Sequence, residues 1–159
     1  MIDFKRRRLF SRTQTDDKSP RLPWLKQPEQ FTDQCTRCGK CIAHCDTQII
    51  VKSDGGFPRI DFSIDECSFC YQCAEVCPEP LFAEQSQLPW GAKANINNAC
   101  LAFSNIDCRS CSDSCEVMAI QFQLMVGKVA QPTINTQQCT GCGACVSTCP
   151  TSAILVHNP

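Results

Sequence analysis

The sequence lacks the long apolar segments that membrane and secreted proteins carry. No stretch approaches the roughly 20 apolar residues that cross a bilayer, so we expect no membrane insertion. The first residues, MIDFKRRRLFSRTQTDDKSP, are charged and polar where a secretory signal would place its apolar region. We therefore expect a cytoplasmic protein, in a compartment that keeps thiols reduced.

Large side chains and histidines are also scarce. Aromatic residues make up 8% of the 159 residues, so little apolar mass is available for a conventional core. The chain has two histidines, His44 and His157, and neither lies at a zinc-finger spacing. No histidine–carboxylate or nucleophile constellation is recognisable, so we do not expect an enzyme.

Cysteine, by contrast, is abundant, at 16 residues. Such a density in a short chain indicates disulfides or bound metal, and in a reducing compartment metal is expected. Three groups share the spacing CxxCxxCxxxC, and the third group in chain order is a variant with seven residues in its first gap. The four motifs are Cys35, Cys38, Cys41 and Cys45; Cys67, Cys70, Cys73 and Cys77; Cys100, Cys108, Cys111 and Cys115; and Cys139, Cys142, Cys145 and Cys149.

This spacing is typical of the ligands of 4Fe-4S clusters. Three cysteines on a tight loop each bind one iron, and in two-cluster ferredoxins the fourth binds the cluster of the partner motif. We therefore predict 4Fe-4S clusters at the three regular motifs and a fourth at the variant motif, where Cys100 arrives from outside the loop. A zinc or disulfide scaffold is the alternative interpretation.

The order of the motifs predicts how they pair. Their starts, at 35, 67, 100 and 139, indicate a fourfold repeat. The simplest arrangement pairs motif 1 with motif 2 and motif 3 with motif 4, although a pairing of motifs 2 and 3 stays open. It predicts four ligand sets: Cys35, Cys38, Cys41 and Cys77; Cys67, Cys70, Cys73 and Cys45; Cys100, Cys108, Cys111 and Cys149; and Cys139, Cys142, Cys145 and Cys115.

The segments between the motifs favour the same pairing. A turn at Asp54-Gly55-Gly56 separates two apolar runs between motifs 1 and 2, and Gly127-Lys128 does so between motifs 3 and 4. Each pattern predicts a β-hairpin. We therefore predict an α+β fold of two bicluster ferredoxin-like lobes, in which short helices and hairpins surround 4Fe-4S clusters. The expected boundaries are a flexible basic N-terminal arm at 1–29, lobes at 30–86 and 99–159, and an interlobe connection at 87–98.

The N-terminal arm differs in charge from the rest of the chain. Its first 28 residues hold eight basic and three acidic residues, whereas the remainder holds seven basic and thirteen acidic ones. The arm has no aromatic residues alternating with its basic ones and no folded element that could contact bases, so it does not predict nucleic-acid binding. Arg6, Arg7, Arg8, Phe10 and Trp24 form a candidate protein-docking segment.

Several segments together resemble the NapF family, the ferredoxin-type accessory proteins of the periplasmic nitrate reductase system. They are MIDFKRRRLF at the N-terminus, the Pro23-Trp24 element, CTRCGKC, DECSFCYQCAEVCPE, the NNACLAF lead-in to the variant motif, and CTGCGACVSTCP. The similarity spans nearly the whole chain. The lead-in and the expanded gap that follows it are its most specific part.

The resemblance implies a cytoplasmic protein that binds the precursor of the nitrate reductase catalytic subunit and assists its maturation before twin-arginine export. The protein could assist maturation either by donating a cluster to the precursor or by supplying it with electrons, and the resemblance does not decide between the two. It also implies that all sixteen cysteines are cluster ligands. The competing hypothesis is a polyferredoxin electron carrier in the nitrate reductase electron-transfer chain.

Overall fold

Regular structure is confined to short elements, because the cysteine motifs occupy much of the chain. The computed structural model describes residues 20–158. In that part of the chain the α-helices are single turns: α1 (Phe31–Gln34), α2 (Lys40–Ala43), α3 (Gln72–Glu75), α4 (Ser110–Asp113) and α5 (Ala144–Ser147). The strands are β1 (Ile50–Lys52), β2 (Pro58–Ile60), β3 (Lys93–Ile96), β4 (Ile120–Met125), β5 (Lys128–Ile134) and β6 (Ile154–His157). Short 3-10 helices cover Pro28–Gln30 and Leu101–Ser104.

Both predicted hairpins are confirmed. Strands β1 and β2 pair antiparallel, with Ile50 opposite Ile60. Strands β4 and β5 also pair antiparallel, from Ile120 opposite Ile134 to Met125 opposite Lys128, with an irregularity between Gln123 and Met125. The glycine-containing turns predicted these hairpins correctly because the two strands of each hairpin are close in sequence. One local pattern therefore contains both strands and their connection.

The segment predicted as the interlobe connection, 87–98, contains a strand instead. Strand β3 pairs antiparallel with β6, and Ala94 lies opposite Val156. This pairing joins residues about sixty positions apart, so no local turn pattern could reveal it. Residues 93–96 therefore belong to the C-terminal half of the molecule, defined here as residues 92–157.

The prediction of a flexible arm at 1–29 is wrong for the part that the structure describes. Leu22 and Trp24 are only 3% and 5% exposed. Leu25 and Phe82 form an isolated antiparallel bridge, beside which the Trp24 carbonyl accepts a hydrogen bond from the Ala83 N–H at 2.7 Å. The two ends of the N-terminal half, residues 22–83, are thus paired with each other. In the same way, β3 and β6 pair the two ends of the C-terminal half. The basic residues Arg6, Arg7 and Arg8, together with Phe10, lie outside the described residues.

The core is thin and runs through both halves. Its most deeply buried large side chains are Ile49, Ile60, Ile154 and Pro23, and many of the other buried positions are alanine or cysteine. One cluster of buried apolar residues includes members from each half. None of the helices in residues 20–158 is long and apolar enough to cross a membrane.

Candidate metal centre

The structure gathers the cysteines in the four sets predicted from the order of the motifs. Site 1 is defined as Cys35, Cys38, Cys41 and Cys77; site 2 as Cys67, Cys70, Cys73 and Cys45; site 3 as Cys100, Cys108, Cys111 and Cys149; and site 4 as Cys139, Cys142, Cys145 and Cys115. Three sites line partly enclosed cavities, each with all four of its cysteines in the wall. At site 1, the thiols of Cys35, Cys77 and Cys38 lie near enough to Cys41 for their charge to add to the effect of burial and raise its pKa.

The helices bring the fourth cysteine of one motif to the first three of its partner. Helices α2 and α3 pack together in the N-terminal half, and α4 and α5 pack together in the C-terminal half. Each of these single turns carries the third cysteine of its motif, and the fourth is the second residue after the helix ends. Pairing of motifs 1 and 2, and of motifs 3 and 4, is therefore the arrangement present. The alternative pairing of motifs 2 and 3 is absent from the described residues.

Left-handed backbone conformations shape the regular motifs. Motif 1 places Arg37 and Gly39 at φ of 57° and 76°, and motif 4 places Gly141 and Gly143 at 75° and 91°. Motif 2 adopts the same conformations without glycine, since Phe69 and Tyr71 have φ of 54° and 70°. Alternation of left- and right-handed residues points successive N–H groups to one side, which creates a concave site for an anion. An anionic cluster is such a ligand.

Both glycines of motif 4 are also required by their surroundings. A Cβ on Gly141 would collide with the backbone carbonyl of Ala92 and approach the Trp90 indole nitrogen at 3.0 Å. A Cβ on Gly143 would collide with the Phe62 ring. Loop conformation and close packing therefore both exclude larger residues at these positions.

A second left-handed turn follows the fourth cysteine of three motifs. Gln48, Met118 and Ser152 each lie three positions after that cysteine and have φ of 57°, 50° and 50°. The turn directs the next N–H back to the sulfur, as shown by Ala119 N–H to Cys115 Sγ at 3.3 Å and Ala153 N–H to Cys149 Sγ at 3.2 Å. Motif 2 has Pro80 at the corresponding position, which has no such freedom.

Hydrogen bonds to sulfur favour the thiolate. Further examples run from Arg37 N–H to Cys35 Sγ at 3.4 Å and from Ala94 N–H to Cys139 Sγ at 3.5 Å. At Cys149, burial opposes ionisation, but N–H groups of Ala153 and Thr151 outweigh it and lower the pKa. Such bonds to ligand sulfur also raise the reduction potential of an iron–sulfur centre, because they stabilise its added negative charge.

The buried thiols resist ionisation in the absence of a cation. Burial first, and then the charge of neighbouring thiols, raises the pKa of Cys73 and Cys145 to about 12. The same causes raise the pKa of Cys41 and Cys111 to about 11. Four adjacent thiols cannot all be thiolates unless positive charge lies between them. Bound iron would supply that charge, and its binding would release the protons.

The donor set fits a multinuclear centre. All sixteen cysteines are free thiols, so the disulfide alternative is wrong for the described structure. Within residues 20–158, no three histidine, cysteine or acidic side chains converge closely enough to hold a single metal ion. A 4Fe-4S cluster makes a different demand, because each of its four irons takes one thiolate and the sulfurs stay apart.

The expanded gap of motif 3 forms a small structure of its own. The 3-10 helix Leu101–Ser104 follows Cys100 and buries Ala102, while Leu101 lines the cavity of site 3. Asn105 ends this helix in a left-handed conformation with φ of 61°. Its Oδ1 accepts a hydrogen bond from the N–H of Val129 at 2.9 Å, which fastens the insertion to β5. The insertion therefore holds Cys100 at the site.

An aromatic wall covers site 2, and part of it was missed by sequence reasoning. Phe69 and Tyr71, which stand between the cysteines of motif 2, line the cavity, and so does Trp24 from the N-terminal segment. The Trp24 ring meets that of Tyr71 edge-to-face at 5.1 Å, and its indole N–H donates to the Gln87 carbonyl at 2.9 Å. Trp24, which was named above in the candidate docking segment, is packed inside the chain's own fold and is only 5% exposed.

The acidic residues that replace proline after the fourth cysteine have different surroundings. Asp46 is exposed and accepts a hydrogen bond from the Gln72 amide at 3.0 Å, so it joins motif 1 to motif 2. Glu116 is also exposed, and it lies near Glu66 of motif 2. Burial of Glu66, followed by the charge of Glu116, raises the pKa of Glu66. The C-terminal half thus brings a carboxylate close to motif 2.

Comparisons with known proteins identify similar sequences. A family model described as "4Fe-4S dicluster domain" matches residues 34–80 and 106–153. The "Ferredoxin-type protein NapF" of Escherichia coli K12 is 43% identical over 157 residues, which cover 98% of this chain and 96% of that protein. The protein of the same name from Haemophilus influenzae is 46% identical over 87% of this chain and 78% of its own length. The "Ferredoxin-type protein NapG" of E. coli K12 is 29% identical over 81% of this chain and 65% of its own length.

Proposed function

The chain belongs to the NapF family of ferredoxin-type proteins and contains two 4Fe-4S dicluster regions, and on that basis we propose that it is a cytoplasmic maturation factor for a periplasmic nitrate reductase. It would bind the precursor of the catalytic subunit before export, and it would not be an enzyme in its own right. The observation that carries the proposal is the combination of full-length similarity to NapF with four separate sets of four cysteines.

Each half of the molecule would be a bicluster ferredoxin-like lobe. Sites 1 and 2 would hold one 4Fe-4S cluster each in the N-terminal lobe, and sites 3 and 4 would do so in the C-terminal lobe. When bound, such clusters supply one-electron chemistry or transferable iron and sulfide. The cysteines would bind the irons, the left-handed loops would direct N–H groups to sulfur, and the aromatic wall would exclude water from site 2.

The basic N-terminal segment is the proposed contact with the precursor. Arg6, Arg7, Arg8 and Phe10 combine positive charge with an apolar side chain, a combination suited to an acidic surface with an apolar centre. Because Trp24 is packed within the N-terminal half, the proposed contact excludes it and ends before the packed residues.

The experiment separates binding from the two chemical modes. Cluster-loaded protein labelled with radioactive iron is mixed anaerobically with cluster-free precursor, and the two are separated again after affinity capture. Co-capture supports binding, and iron transferred to the precursor supports donation. Precursor that already holds its own cluster, mixed with the chemically reduced protein, tests electron supply by the change in visible absorption. A precursor that neither binds, gains iron nor becomes reduced would refute the proposal.

An electron carrier for the nitrate reductase chain is the second candidate function. It is favoured by the partial enclosure of sites 2, 3 and 4, because clusters set into cavities are retained more readily than clusters on an open surface. A carrier would be reduced and reoxidised repeatedly without loss of iron, and it would show no preference for the immature subunit. Repeated cycling with the mature enzyme, followed by iron analysis, distinguishes this function from maturation.

A further inference from the structure

The two halves meet where motif 2 contacts motif 4. The N–H of Cys67, a member of site 2, donates a hydrogen bond of 2.8 Å to the carbonyl of Cys142, a member of site 4. This bond joins the backbone of two predicted cluster ligands from different halves. Sites 2 and 4 are therefore connected by a single backbone hydrogen bond between one cysteine of each site.

Aromatic packing fixes this junction. The Phe62 ring lies directly against Gly143, so closely that no side chain could replace the glycine hydrogen. The Trp90 indole N–H donates to the Thr140 carbonyl of motif 4 at 2.9 Å, and its ring meets that of Phe69 in motif 2 with centroids 5.7 Å apart. The contact between motifs 2 and 4 is therefore supported on both sides by buried or half-buried rings.

Contacts within each half show which of the remaining sites are neighbours. Sites 1 and 2 are joined by the packing of α2 against α3 and by the hydrogen bond between Asp46 and Gln72. Sites 3 and 4 are joined by the packing of α4 against α5. The neighbouring pairs are thus 1 with 2, 2 with 4, and 4 with 3. The spatial order differs from the order of the motifs along the chain.

We infer that the four sites form one continuous path in the order 1, 2, 4, 3, with the Cys67–Cys142 contact as the step between the halves. The inference rests on the proposed occupancy of the four sites by 4Fe-4S clusters. One electron would enter at an end from a one-electron redox protein and leave at the other end to a second one, so the chain would have no net change. Sites 1 and 3 would be the ends that face donor and acceptor.

The test compares proteins that retain only two sites. In the first, sites 1 and 3 are removed by replacing two ligands of each with alanine, so that sites 2 and 4 remain. The substitutions are Cys35→Ala, Cys38→Ala, Cys100→Ala and Cys108→Ala. The matched control keeps site 2 but pairs it with site 3. Its substitutions are Cys35→Ala, Cys38→Ala, Cys139→Ala and Cys142→Ala.

Both proteins are reduced chemically and studied by electron paramagnetic resonance. Iron analysis first establishes that each holds about eight irons, since each remaining site takes four. We expect spectra broadened by spin–spin interaction in the protein with sites 2 and 4, and the spectra of isolated clusters in the control. Interaction in the control but not in the first protein would overturn the order, while the four-cluster proposal would stand.

A glycine pair tests the junction when all four sites are present. Gly143 and Gly39 occupy the same position in motifs 4 and 1 and share a left-handed φ, of 91° and 76°. Only Gly143 contacts the other half, because a Cβ on Gly39 would meet no atom within 4 Å. Gly143→Ala should weaken the interaction between the halves, whereas Gly39→Ala should preserve it. Equal spectra from the two variants would refute the junction, even where the two-site deletions prevented iron loading.

Discussion

Trp24 shows how one side chain can serve both folding and the proposed cluster site. It is 5% exposed, it contacts Tyr71 and Phe69 edge-to-face, and it lines the site 2 cavity. Such edge-to-face contacts add to the free energy gained from burying the ring. The same indole therefore holds the N-terminal segment in place and covers the thiols of site 2.

We predict that Trp24→Ala destabilises the folded protein by about 3 to 5 kcal/mol, the usual cost of truncating a buried tryptophan. Iron should also be lost faster from site 2 to an external chelator. The measurement is the melting temperature followed by visible absorption, together with the kinetics of iron release. Leu88→Ala is the control, because Leu88 is 88% exposed in a nearby segment. An unchanged melting temperature with weakened precursor binding would return Trp24 to the role of a docking residue.

Gly141 provides a second prediction for a single residue. Gly141→Ala places a Cβ against the Ala92 carbonyl and imposes a left-handed conformation on alanine. The conformational term alone costs about 1 to 2 kcal/mol, so the full loss should be larger. Gly127→Ala is the control, because Gly127 has φ of 71° but nothing within 4 Å of its Cβ position. Melting curves should show a greater loss for Gly141→Ala, and equal losses would contradict the proposed contact.

The expanded motif 3 is the element that most clearly departs from a regular ferredoxin repeat. Its 3-10 helix packs against β5, and the Asn105 side chain binds the Val129 N–H. Asparagine suits this position for two reasons, because it tolerates the left-handed conformation and supplies an acceptor. The longer gap is therefore compatible with a complete fourth ligand set.

Substitutions of Asn105 separate those two properties. Asn105→Asp should keep the acceptor and the conformation, and site 3 should remain filled. Asn105→Gly keeps only the conformation and should cost about 1 kcal/mol, the usual contribution of one hydrogen bond. Asn105→Ala loses both properties and should cost about 2 kcal/mol or more. Iron content and the rate of iron loss check this order, and a stable Asn105→Ala protein with a full site 3 would contradict it.

Elements formed by local sequence could be predicted, whereas elements formed by distant contacts could not. The Asp54-Gly55-Gly56 and Gly127-Lys128 patterns located both hairpins, and the cysteine spacing predicted the sets of cysteines that the structure brings together. Strand β3 could not be predicted, because its partner β6 lies about sixty residues away in the sequence. The packing of residues 22–26 could not be predicted for the same reason, since Leu25 pairs with the distant Phe82. The left-handed conformations of Phe69 and Tyr71 were also hidden, because glycine is the residue that usually signals them.

At the scale of the whole molecule, charge is divided unevenly. The net charge of −1 combines a basic N-terminal segment with an acidic remainder, which would become more acidic when anionic clusters are bound. Attraction between opposite charges increases association rates and weakens as salt rises. The basic segment would therefore direct binding to an acidic surface of a partner.

We predict that replacing Arg6, Arg7 and Arg8 with alanine weakens binding to the precursor about tenfold. Three ion pairs at a surface, worth about 0.5 kcal/mol each, would together account for about 1.5 kcal/mol, which corresponds to about a tenfold loss. The charge-matched control replaces Lys40, Lys52 and Lys128, which are exposed on the folded part of the chain. Binding measured at low and high salt should show a smaller salt dependence only for the arm variant. Equal weakening by both variants would indicate nonspecific attraction.

The proposed function and the proposed path both require four 4Fe-4S sites in one chain. Iron and acid-labile sulfide counting on anaerobically purified protein tests this most directly. We predict about sixteen of each per chain, since each of the four sites holds four. Cys108→Ala should lose iron from site 3 alone, leaving at least about twelve atoms. A colourless protein containing zinc, or a wild-type count of about twelve that Cys108→Ala leaves unchanged, would contradict the four-site account.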